Sequence, residues 1–151
     1  MTTGIELVRP AALSGSAPYA YAAVTDPGRM VFTAGACPLD AEGATVAVGD
    51  VAGQARQVMA NLATALEAAG AGLADVLKTT VYVATADRAD LLAAWQVVHE
   101  AFGAHEAPST LVGVTVLGYP DQLVEVEAVA VRDSWPDPGP PHGGAVPVAR
   151  P

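Results

Sequence analysis

Between Asp50 and Gly70 apolar side chains return every three or four residues: Val51, Ala55, Val58, Leu62, Ala65, Leu66 and Ala69. Gln54, Arg56, Gln57, Asn61 and Glu67 fall mostly between them, which predicts an amphipathic helix with one face turned to a core. Asp50 is placed to cap its first free amides, and Gly70 to take the left-handed turn that ends it. Leu77 to Val83 then alternates branched and polar residues, the period of a half-buried strand. A second helical period runs from Asp87 to Phe102, with Leu91, Leu92, Trp95, Val98 and Phe102 on one face and Gly103 as its stop. Trp95 and Phe102 at that spacing read as core.

The flanking segments carry shorter patterns. Ile5 to Val8 predicts a strand ended by Pro10, and Tyr21 to Val24 a second. Asp26-Pro27-Gly28 is a turn signal, and Met30 to Thr33 a third strand, so the second and third read as a hairpin. Thr110–Leu117 and Leu123–Arg132 predict two more strands around a turn at Gly118–Asp121. The order is three strands, helix, strand, helix and two strands. It implies an α+β sandwich with one mainly antiparallel sheet and both helices on one face. Leu111 and Leu117 share one parity and Val112, Val114 and Val116 the other, so the face without helices is also apolar and calls for a partner subunit. Residues 1–132 are expected to form the domain. Residues 133–151, rich in Pro and Gly without periodicity, are expected to form a flexible tail.

At 151 residues the chain fits one domain, and aromatics make up only 5%, so the core is built from Ala, Val and Leu. A net charge of −9 opposes phosphate backbones and anionic lipids, so neither nucleic acid nor membrane is an expected partner. The single cysteine, Cys37, allows no internal disulfide. The first ten residues lack a basic region followed by an apolar run, and a cytoplasmic protein is expected. His99 and His105 each precede a glutamate, but Gly103 separates them and no HExxH pattern is present, so no metal site is expected. Cys37 has no neighbouring histidine to activate it and reads as a small buried hydrophobe. In Val124-Glu-Val-Glu-Ala128, Glu125 and Glu127 point to one face of a strand. Two readings stand for them: a solvated sheet face, or a carboxylate lining a cleft and holding a water for attack on an electrophile.

Taken together and in order, six pieces resemble the Rid (YjgF) family of reactive-intermediate deaminases, from about Gly15 to Arg132. They are Ser16–Ala20, Val31–Asp40, Val51–Gln57, Leu66–Gly70, Val76–Val83 and Leu123–Ala130. The resemblance implies a chorismate-mutase-like α+β fold and a homotrimer with clefts at the subunit interfaces. It implies hydrolysis of imines and enamines to a carbonyl compound and ammonia, without metal or cofactor. It places a substrate-binding tyrosine at Tyr19, a small-residue–Gly pair at Ala34-Gly35 and the water-holding carboxylate at Glu125. Ser109 and Thr110 fall beside the position of the arginine that grips a substrate carboxylate. That position is Pro108, and proline cannot replace a guanidinium fork. Trp95-Gln96 stands where the second helix is expected to carry an asparagine. The resemblance therefore implies an imine or enamine hydrolase that does not take simple 2-imino acids. The alternative is a non-catalytic trimer binding a small metabolite. A ribonuclease or translation inhibitor is disfavoured by the charge.

Overall fold

The computed structural model describes residues 4–26 and 28–132. Helix α1 spans Val51–Ala68, where the 3.6-residue period placed it. Asp50 Oδ1 accepts the Gly53 amide at 3.0 Å, and Gly70 follows the C-cap with φ +77°. Ala55, Val58, Met59, Leu62 and Leu66 form its buried stripe. Two positions depart from the sequence pattern. Ala65 is exposed, and Gln54, expected on the polar side, is fully buried. Gln54 Oε1 accepts the Leu123 amide at 2.7 Å, and Nε2 donates to the carbonyls of Asp121 at 2.8 Å and Ala47 at 3.5 Å. A polar side chain is retained in the core because all its hydrogen-bonding groups are matched there. Ala47 (φ +49°) and Asp121 (φ +60°) are the non-glycine residues with positive φ among those described. Gln54 thus ties α1 to both left-handed loop positions.

Helix α2 spans Arg88–Phe102, capped by Asp87 and stopped at Gly103, whose φ is +60°. Strands β3 (Arg29–Phe32), β4 (Val76–Ala84), β5 (Ser109–Val114) and β6 (Val124–Arg132) form a four-stranded sheet in the order β3-β6-β4-β5. β6 is antiparallel to both neighbours, whereas β5 runs parallel to β4 because α2 makes the crossover between them. Both helices lie on one face, where Val81, Val83, Val124, Val126, Ala128 and Ala130 meet the apolar stripes of α1 and α2. Each fully buried Val or Leu contributes about 1.5–3 kcal/mol relative to an exposed one. At the far end of β6, Arg132 Nη1 donates to the Ala69 carbonyl at 2.7 Å and closes the C-terminus of α1.

The expected hairpin does not form. β2 (Ala22–Val24) pairs with β1 (Glu6–Val8) in a separate two-stranded ribbon, and β3 pairs with β6 in the main sheet. Pairing with β6 lets Val31 pack on the core, which a short ribbon with β2 could not provide. Gly28 crosses the end of β6, where a β-carbon would stand 2.7 Å from Val131 Cγ2. β5 is shorter than its pattern and ends at Val114 rather than Leu117.

The helix-free face is apolar only in part. Phe32, Met30 and Val112 are exposed, but Lys78, Thr80, Tyr82, Glu125 and Glu127 occupy its middle on β4 and β6. The polarity comes from alternate positions of two strands whose other parity is fully buried. The expected tail, residues 133–151, lies outside the described residues. No helix among the described residues is long and apolar enough to cross a membrane.

Candidate active site

β6 turns Glu125 toward the loop after β3, because Val124 and Val126 on either side of it are buried on the helical face. A bridge between Ala36 and Val126 brings that loop alongside. The carboxylate then lies flat against Gly35, and any β-carbon there would collide with Glu125 Oε1. Glycine is needed here for close approach rather than for its φ. Glu125 Oε2 accepts Gln122 Nε2 at 2.9 Å and the Cys37 thiol at 3.6 Å. The Gly35 carbonyl, at 3.5 Å, is the alternative acceptor for the same single S–H. It is half-buried and paired to a carboxylate, not the plain hydrophobe its sequence context suggested. Burial, then the charge of Glu125, raises its thiol above the ordinary value of 9.0, so Cys37 is a protonated donor rather than a nucleophile.

The neighbouring carboxylate has a separate partner. The Tyr82 hydroxyl donates to Glu127 Oε1 at 2.8 Å, which raises the tyrosine above its ordinary 10.0. Each glutamate is thus answered by its own donors. Gly35 and Cys37 line a hollow of about 540 Å³ with Leu39, Asp40, Ala41, Gln57, Asn61 and Tyr119. Asn61 Nδ2 fixes its rim by donating to the carbonyls of Cys37 and Leu39 at 2.8 and 2.9 Å. Ala34 is exposed immediately before Gly35.

Tyr19, Ser109 and Thr110 meet elsewhere. With Trp95 and Leu111 they line a second hollow of about 510 Å³ at the free edge of β5. Trp95 packs against the core, as its spacing predicts, and its other side forms one wall, edge-to-face with Tyr19 at a centroid distance of 6.2 Å. Ser109 Oγ donates to the Ala107 carbonyl at 3.0 Å and receives the Thr79 hydroxyl at 2.7 Å. Thr110 accepts the Lys78 ammonium at 3.3 Å, a cation that the sequence pattern did not single out. Pro108 lies outside both linings, and its carbonyl accepts the Thr79 amide at 2.9 Å. Beside Tyr19 lies the Arg9 guanidinium, held by Glu106 and by the Tyr19 and Ala17 carbonyls at 2.8 and 3.0 Å. His99 meets the other oxygen of Glu106 at 3.4 Å, and His105 donates to the Val76 carbonyl at 2.7 Å. No group of three or more metal-ligating side chains occurs among the described residues.

The expected site therefore falls into two parts. β4 runs between β5 and β6, which separates the strands carrying Thr110 and Glu125 by roughly 10 Å, and Glu125 faces away toward β3.

Residues 10–132 match the family described as endoribonuclease L-PSP. The chain belongs to this family, known also as YjgF/Rid. The RutC family protein PH0854 of Pyrococcus horikoshii is 38% identical over 114 residues, covering 75% of this chain and 87% of the relative. The 2-iminobutanoate/2-iminopropanoate deaminase of Salmonella typhimurium is 37% identical over 113 residues, 74% of this chain and 87% of that enzyme. A conserved Rid-family protein of Yersinia pestis superposes with a TM-score of 0.78 at 33% identity, covering 85% of this chain and 98% of that one. Escherichia coli TdcF with bound serine gives a TM-score of 0.61 at 32% identity, covering 85% of this chain and 99% of that one. In this chain the Glu125 carboxylate rests on Gly35, and no arginine lines either hollow among the described residues.

Proposed function

We propose that the protein hydrolyses reactive imines or enamines to a carbonyl compound and ammonia, without a cofactor, in clefts completed between the subunits of a cytoplasmic homotrimer. The observation that carries this reading is the carboxylate of Glu125 seated on Gly35. Among the described residues no donor reaches its Oε1, and no polar side-chain atom is both buried and unpaired. Oε1 is therefore open to water. A water held there attacks the imine carbon while Glu125 takes its proton, giving a carbinolamine. Return of that proton to nitrogen completes the neutral carbinolamine; Glu125 then takes the proton of its hydroxyl and passes it to nitrogen as the C–N bond breaks, leaving the carbonyl compound and ammonia. The relatives named as iminobutanoate deaminases support the same chemistry.

Tyr19, Ser109 and Thr110 serve this reaction as the substrate-binding side, contributed by a neighbouring subunit, with Ala34 and Gly35 on the Glu125 side. The exposed Met30, Phe32 and Val112 on the helix-free face supply the apolar contact between subunits. The substrate is a neutral or bulky imine rather than a simple 2-imino acid. Pro108 offers no cation, Arg9 is held by Glu106, and Trp95 and Leu111 present an apolar wall. A second reading follows from Lys78, whose ammonium at Thr110 could receive a carboxylate as a point charge.

The test has two arms. Imines generated enzymatically, 2-iminopropanoate and a neutral aryl imine, are followed as carbonyl product above the spontaneous rate. The neutral imine is expected to be accelerated by wild type and not by Glu125→Gln. Mixing inactive Glu125→Gln with inactive Thr110→Val subunits after unfolding and refolding should restore about one quarter of the clefts of a cyclic trimer. Absence of acceleration with every imine leaves the metabolite-binding alternative, and absence of restored activity removes the shared cleft.

A further inference from the structure

Gln122 is 4% exposed and lies on the loop that Gln54 ties to α1. Its Oε1 accepts the Tyr119 amide at 3.0 Å, and its Nε2 donates to the Val124 carbonyl at 3.2 Å and to Glu125 Oε2 at 2.9 Å. The amide is thus locked in one orientation by two main-chain bonds, and only its remaining N–H addresses the carboxylate. On the other side of the same oxygen stands the Cys37 thiol, whose one proton has Glu125 Oε2 and the Gly35 carbonyl in reach. The resulting arrangement is asymmetric: Oε2 receives both donors, while Oε1 rests on the bare α-carbon of Gly35 with no donor among the described residues.

We infer that Gln122 is a positioning residue for Glu125, assisted by Cys37, and that the pair ties down one carboxylate oxygen so that the other alone holds the reacting water. The inference rests on Glu125 acting as the water-holding base. A glutamate side chain has three rotatable bonds, and an exposed one would sample many orientations. Gln122 removes that freedom without neutralising the charge, because an amide N–H donates but cannot transfer its proton under these conditions. A carboxylate held at a single oxygen keeps both lone pairs of the other oxygen for water. A lysine or arginine in place of Gln122 would instead neutralise the base.

Three variants test the arrangement: Gln122→Met, which keeps the volume without the donor, Gln122→Glu, and Cys37→Ala. Crystal structures of each show whether the carboxylate stays on Gly35, independently of any activity. Kinetics on a hydrolysed imine supply the second readout. Gln122→Met is expected to unseat Glu125 and to lower kcat at least tenfold with KM within twofold of wild type, as for an interaction made in the transition state. Cys37→Ala is expected to lower kcat by a smaller factor. Gln122→Glu is expected to lose activity at pH 8 and to regain part of it toward pH 5 relative to wild type, because a protonated carboxyl at position 122 donates as the amide does. A purely structural role for Gln122 would not produce that pH-dependent recovery. Glu125 still seated on Gly35 in Gln122→Met and Gln122→Glu, with wild-type kcat where an imine is hydrolysed, would overturn the inference. If wild type hydrolyses no imine, the catalytic reading fails by itself, and the position of Glu125 in the variant structures still decides whether Gln122 places it.

Discussion

Gln54 Nε2 donates to the main-chain oxygen of Asp121 at 2.8 Å, and Asp121 holds a left-handed φ of +60°. A buried helix residue thus fixes a non-glycine backbone conformation 67 positions along the chain. The same side chain accepts the Leu123 amide, so the loop entering β6 is positioned from within the core. Gln54→Leu would keep the bulk and leave the Leu123 N–H and Asp121 C=O without their partner. An unsatisfied buried group costs about 1–3 kcal/mol, and with Asp121 exposed to water a loss in that range, set by the Leu123 amide, is expected. Urea denaturation should show a lower midpoint with an unchanged slope. A loss within 0.5 kcal/mol, on the order of an ordinary surface change, would mean that water satisfies the loop instead.

Gly35→Ala places a methyl group where Glu125 Oε1 sits. The glutamate must leave its seat or the loop must move, at a cost of about 1–3 kcal/mol for overpacking. In a Glu125→Ala background the same substitution should cost far less, because the colliding atoms are gone. A thermal-melt double-mutant cycle measures that coupling. Additive losses would show that Gly35 is required for its backbone alone.

Trp95 and Tyr19 make one wall of the hollow at the β5 edge. If that hollow binds the substrate's larger group, Trp95→Ala should reduce kcat/KM on an aryl imine by tenfold or more and leave a small alkyl imine within threefold. Steady-state comparison of the two substrates decides it. Equal losses on both would assign Trp95 to packing.

Pro108→Arg supplies the missing fork while keeping the carbonyl that receives the Thr79 amide. Hydrolysis of 2-iminopropanoate is expected to rise from near the spontaneous rate to a clear acceleration. Strong acceleration by wild type, lost in Lys78→Met, would show instead that the ammonium at Thr110 already binds the carboxylate.

Cys37 and Tyr82 are both acids whose folded pKa is raised, the thiol by burial and then by Glu125, the phenol chiefly by its hydrogen bond to Glu127. Above the ordinary values of 9.0 and 10.0 the unfolded chain loses these protons before the folded one does. Their contribution to stability is therefore full below those values and is lost as pH rises through the folded ones. Melting temperature should fall across that alkaline window, and the fall should be shallower in Tyr82→Phe. Alkylation of Cys37 by iodoacetamide at pH 8 should be faster in Glu125→Gln than in wild type, since the opposing charge is removed.

The sequence by itself determined the elements. α1 and α2 start and stop where Asp50, Asp87, Gly70 and Gly103 said they would, since caps and the 3.6-residue period act over neighbouring residues. The parity of Val124 to Ala128 likewise set which face Glu125 takes, because a strand has no other way to bury its valines. Pairing was not legible in the same way. Asp26 to Gly28 carries the local signal of a hairpin, but β3 joins β6 instead, where burial of Val31 on the core favours a distant partner. Nor did the pattern show Gln54 inside, Trp95 at a cavity wall or Cys37 against Glu125, for each depends on groups far away in the chain. Cys37 and Glu125 are 88 positions apart, and nothing in either segment records the other's approach. Only the packed sheet, with β6 between β3 and β4 and a bare glycine beside it, brings the carboxylate and its two donors to one point.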